Sequence, residues 1–220
     1  MSKELPLFPL HTVFFPRMLM PLLIFEERYK ELLAECEERE EDFGIALIRS
    51  GQEVGGPADP YEIGTTAHIM RLVDMEDGRK HAIVRGMQRF VIQKLDESRP
   101  YLVGEVEEYP LETGSVDHQL MGHVEIAFVR YLQLLKQTQG TTVSISNLPD
   151  DPEGIAWMIA WGLQVDSLRR QELLSIRSLH ELLKRELDLL TSESRILMLL
   201  DADQVKRTKP SRSMGSISLN

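Results

Sequence analysis

A chain of 220 residues, 42% of them apolar, has room for one large domain or two modest ones and enough apolar side chains for a real core. Its formal charge of −10 argues against nucleic acid or an anionic membrane as partner. A lone cysteine, Cys36, excludes an internal disulfide and a multi-cysteine metal site. The acidity is uneven: residues 1–112 hold 13 Lys+Arg against 22 Asp+Glu, with nine acids and three bases between Glu26 and Asp42. The longest apolar passage, 13–25, contains Pro16, Arg17 and Pro21 and falls short of the roughly 18 apolar residues of a membrane span. It also lacks a small-residue cleavage site. The expectation is a cytoplasmic protein with no membrane partner.

Prolines 6, 9, 16 and 21 punctuate the opening run. Each lacks an N–H and holds φ near −65°, so the run cannot form one helix or one central strand. Short strands and turns are expected, then a helix over 26–41 whose stripe is Tyr29, Leu32, Leu33 and Cys36. Burial on that stripe makes Cys36 a small hydrophobe rather than a reactive thiol. Strands follow at 43–49, 63–75, 81–84, 89–95 and 101–109, with a Gly/Pro loop over 50–60 and a two-residue hairpin signal at Asp77-Gly78. About six strands and one helix before Pro110 suggest a small barrel.

The period then becomes helical. Apolar residues from Leu120 to Leu135 keep helical spacing, and the stretch from Gly140 through 141–147 ends that helix. Asp151-Pro152 opens a helix to about Leu163. Ser167 caps a short one through Leu174, and Ser178 with Glu181 forms a capping box for a long one over 179–200. The fold class is therefore α+β: a β-barrel with one helix over 1–112, a four-helix region over 113–205 and a flexible tail over 206–220.

No chemistry assembles on this frame. Phosphate-cradling glycine motifs and a Gly-x-Ser-x-Gly elbow are missing. His118 and His123 are five apart and do not share a helix face, while His68 and His81 could approach across the hairpin as surface imidazoles. The carboxylates sit beside turns or in alternating strands, where solvated roles explain them. Arg85, Arg89, Lys94 and Arg99 are dispersed among acids, too weak for a nucleic-acid footprint. Hence no enzyme, cofactor or metal is expected. What remains is surface. Phe14, Phe15, Met18 and Met20 are the candidates for polypeptide binding, because successive strand residues point to opposite faces and methionine suits adaptable contacts. The competing expectation is that both faces are covered and these side chains are core.

Several passages in series resemble the amino-terminal domain of Lon protease: residues 5–10, Val13 to Pro16, Met20 to Leu22, Phe25 to Tyr29, Ile63 to Ile69, Val84 to Phe90 and Tyr101 to Val106. Arg170 to Leu174 before a capped long helix is similar too. The resemblance implies a PUA-like pseudo-barrel followed by a helical bundle. It also implies recognition of unfolded or damaged polypeptides, alone or as an adaptor for a protease or chaperone in protein quality control. The ATPase and peptidase of the full protease have no counterpart here, so a stand-alone member is expected. The alternatives are a scaffolding or self-association module with one folded partner, a second copy included, and RNA binding through the PUA-like barrel, which the acidic first half opposes.

Overall fold

A computed structural model describes residues 2–140 and 149–208, with residues 202–208 described by backbone alone. The first strand, β1 (Lys3–Leu10), carries Pro6 and Pro9 and still pairs with two neighbours. Stagger makes this possible. Lys3 to Leu7 pair antiparallel with β7 (Leu102–Glu108), whereas Leu7 to Leu10 pair parallel with β3 (Phe43–Gly51). Each proline therefore lies where only one side of the strand is paired. The circuit runs β1–β7–β6–β5–β3 and back to β1, through β5 (Ile63–Asp74) and β6 (Lys80–Asp96), so the expected barrel closes. The three-residue β4 (Ala58–Pro60) adds to β3.

The long strand β6 serves two neighbourhoods. Phe90 to Asp96 pair with β7, and Lys80 to Arg85 pair instead with β2 (Leu19–Ile24). Register shifts at Thr65/Ala67 and Ile69/Arg71 bend the β5–β6 ribbon. Its hairpin is not the expected two-residue turn. Gly78 N–H donates to the Met75 carbonyl and Met75 N–H to the Arg79 carbonyl, with Gly78 at φ 78°. Glycine takes the left-handed position of a three-residue loop. His68 and His81 consequently miss each other: His68 lies opposite Arg85 and His81 opposite Val73.

Helix α1 (Glu27–Arg39) lays Tyr29, Leu32, Leu33 and Cys36 on the barrel, the stripe read from the sequence. The Tyr29 ring stacks on Phe8 at 4.0 Å. Burial pushes the Cys36 thiol up to about 12, leaving it a neutral hydrophobe.

The second half is α2 (His118–Gln139), α3 (Pro152–Gly162), α4 (Ser167–Ser175) and α5 (Leu179–Thr208). Asp117, Asp151 and Asp166 accept N–H bonds at the starts of α2, α3 and α4; the cap of α4 is thus Asp166, one residue before the expected Ser167. Gly140 closes α2 at φ 65°. Ser178 Oγ accepts from Glu181 N–H at 3.5 Å. The last helix continues past 200 through 206–208, and the rest of the expected tail, like the 141–147 stretch, lies outside the described residues.

The largest apolar cluster belongs to the bundle but includes Val13, Phe15 and Leu47 from the barrel side. Beside it, buried Arg89 of β6 donates to the Leu174 and Ile176 carbonyls at 2.5 and 2.6 Å. Its guanidinium also lies 5.0 Å from the Tyr109 and Trp157 ring centres. Tyr109 Oη donates to the Ser175 carbonyl and Gln171 Nε2 to that of Ile63. Barrel and bundle are thus joined by a shared apolar core with a polar seam.

Candidate functional site

Between β1 and β2 the chain passes between barrel and bundle, and neighbouring side chains enter different cores. Phe14 enters the barrel cluster at 1% exposure, and Phe15 enters the bundle cluster at 0%, with its ring 6.2 Å from that of Trp157. Thr65 Oγ1 ties the Phe14 carbonyl at 2.6 Å. Two of the four surface candidates are thus corrected: Phe14 and Phe15 are core, because barrel and bundle cover the two faces. Met20 is also buried, on the barrel-facing side of β2, although it borders a groove there. Met18 is the one left half-buried, touching both clusters.

Two backbone facts fix Met18. Gly86 N–H donates to the Met18 carbonyl and Arg17 N–H to the Gly86 carbonyl, both at 2.8 Å. A Cβ on Gly86 would stand 2.1 Å from the Phe15 carbonyl oxygen, so only glycine admits this close crossing. Arg17 takes φ 64° and directs its fork to both Asp151 oxygens at 2.6 and 2.9 Å. The hydrogen bond from Arg17 holds the Asp151 carboxyl below the usual carboxylate range, and Asp151 also caps α3. The pair is about half exposed, so solvent screens most of its attraction.

Past this clamp opens a cleft of about 280 Å³, walled by Met18, Leu19, Pro16, Trp157, Met158 and Trp161. Leu19 is 59% exposed and Trp161 51%. Along β2 the burial alternates, with Leu19, Pro21 and Leu23 exposed and Met20, Leu22 and Ile24 buried. Across the ribbon, half-buried Ile83 lies opposite Pro21. The result is an apolar strip running from Trp161 through Leu19 and Leu23 to exposed Phe25. Leu19, Leu23 and Trp161 were missed from sequence. Pro21 was the available signal, since proline inside a strand marks an edge with an uncovered side.

Among the described residues no group of three metal-ligating side chains occurs. None of their helices is long and apolar enough to cross a membrane. Glu186 in α5 lies elsewhere: it is fully buried, neither carboxyl oxygen has a partner among the described residues, and burial holds its carboxyl well above the usual range.

Residues 4–192 match the family described as the ATP-dependent protease La (LON) substrate-binding domain. The chain belongs to this family. Curated relatives include the Lon proteases of Porphyromonas gingivalis, 27% identical over 215 residues covering 94% of this chain and 25% of that protein, and of Aquifex aeolicus, 28% identical over 210 residues covering 88% and 26%. The chain thus spans about a quarter of the length of these relatives. Among solved structures, the Lon N-terminal domain protein of Xanthomonas campestris superposes with a TM-score of 0.67 at 26% identity, covering 84% of this chain and 98% of that one. The N-terminal domain of the Mycobacterium avium complex Lon protease shares the fold, with a TM-score of 0.65 at 18% identity over 86% of this chain and 98% of that one. The family and the mixed α+β fold are those that the sequence resemblance implied.

Proposed function

We propose that this chain is a non-catalytic module that recognises unfolded or damaged polypeptides, and that it works as an adaptor for a protease in protein quality control. Membership of the Lon substrate-binding family supports the class of ligand. The observation that carries the reading is the strip itself: Leu19, Leu23, Phe25 and Trp161 are each about half exposed or more, next to methionines 18 and 158. Exposed apolar groups of this density mark a contact surface, and methionine and aromatic side chains adapt to varied partners. Met18 and Met20 stay in the proposed site as its partly covered floor; Phe14 and Phe15 support it from below. Net acidity favours basic and apolar clients over nucleic acid.

Titration with a reduced, carboxymethylated secretory protein, followed by fluorescence anisotropy, tests the reading. Saturable binding in the micromolar range, absent for the same protein in its folded form, is expected. Failure of the denatured protein to bind at high micromolar concentration overturns it.

A further inference from the structure

The second edge of β2 is unpaired among the described residues, since the strand's recorded partner is β6 alone. Which backbone groups that edge offers follows from one bond. Gly86 and Met18 lie one step beyond the first pair of the β2–β6 register, Leu19 opposite Arg85, and Gly86 N–H donates to the Met18 carbonyl at 2.8 Å. In an antiparallel ladder, bonded pairs alternate with non-bonded ones. Met20, Leu22 and Ile24 therefore spend their N–H and C=O groups on β6. Leu19, Pro21 and Leu23 direct theirs away from it. Pro21 falls in that outward set, the phase a proline requires.

A groove of about 250 Å³ follows this edge. Every residue from Met20 to Phe25 lines it, from both faces of β2. A groove on one face would touch alternate residues only, so it runs along the edge. Val54 borders it, and its charged lining residues, Glu26 and Glu53, are both acidic. Glu26 is held by Arg28 at 3.0 Å, and Glu53 accepts the His11 N–H at 2.7 Å, but among the described residues no cationic side chain lines the groove itself. At the other end of β2, Leu19 and Met18 open into the Trp161 cleft.

We propose that an extended polypeptide segment adds to β2 as a further strand, with apolar residues alternating along it and a basic residue beside Glu26 and Glu53. The idea rests on the polypeptide-recognition reading and specifies its mode. Leu19 and Leu23 each supply a donor and an acceptor, and Pro21 supplies an acceptor. Main-chain bonds then give affinity for many sequences, as strand addition does. A second copy is the poorer occupant. Symmetric pairing of two β2 strands about Pro21 sets proline against proline with no N–H from either, whereas a foreign strand forfeits one bond. Prolines on edges discourage self-pairing in this way.

The probe is a short peptide alternating Val and Thr with Lys at each end, made unmodified and with N-methyl groups on either alternate set of amides. One methylated peptide should bind as the unmodified one does, and the other roughly tenfold or more weakly, a loss of about 1.4 kcal/mol. Equal affinity of the two, retained or lost together, overturns strand addition. Leu23→Pro removes one outward donor without touching the β6 ladder, and Leu23→Ala keeps it. The proline variant, with unchanged far-ultraviolet circular dichroism, should bind the peptide more weakly than the alanine variant; equal binding counts against the mode. If denatured protein binds while methylation is indifferent, strand addition alone fails. If neither ligand binds, the recognition reading fails with it.

Discussion

Two stretches of the opening run, Val13 to Phe15 and Leu19 to Leu23, are alike in composition and opposite in fate. The first passes between barrel and bundle, and both of its faces are covered. The second is stitched to β6 along one edge and covered on one face. Hydrophobicity therefore does not separate core from exposed surface here. The number of layers over a segment does, and that number is a property of the fold.

Breaking the cover of the first stretch should have the largest effect. Trp157→Ala removes the ring that packs on Phe15 and should lower unfolding free energy by about 3–5 kcal/mol in urea titrations. Arg89→Ala strips the Leu174 and Ile176 carbonyls of their donor and should cost about 2–3 kcal/mol in the same assay.

Glu186 sharpens the contrast, because cover there extends over a carboxyl with no partner among the described residues. Its folded pKa is raised above the usual 4.5. Below about pH 4.5 both folded and unfolded forms keep the proton, and the group costs nothing through titration. As pH rises from there towards the folded value, the unfolded chain releases its proton first, and stability falls by at most about 1.4 kcal/mol per pH unit. Glu186→Leu should remove that slope, so its advantage in melting temperature over the parent should grow from pH 4.5 to pH 8. A constant difference would show the carboxyl to be relieved in another way. The smallest stability effect belongs to the open stretch. Leu19→Ser with Leu23→Ser should shift unfolding by no more than about 0.5 kcal/mol, yet weaken binding of denatured protein roughly tenfold.

Much of the frame was legible from residues. The α1 stripe, the Asp151-Pro152 helix start and the change from period two to helical period all reported local geometry, and local geometry survived folding. The hairpin at Asp77-Gly78 was placed correctly but typed wrongly, because Gly78 alone takes positive φ there. The site was less legible. A run in which nearly every residue is apolar carries no visible phase, so Phe14 and Leu19 look equivalent until a second layer hides one of them. Trp161 gave no warning either, since its neighbours on α3, Trp157 and Ile159, are buried.

The staggered pairing of β1 has a consequence for how the molecule is made. Lys3 of β1 pairs with Val106, about a hundred residues further along the chain, and loop closure over that span is slow. Until β7 arrives, the barrel is an open sheet whose raw edges are β1 and β6. Before that closure the folding chain itself carries raw strand edges, with Pro6 and Pro9 as built-in protection against premature pairing.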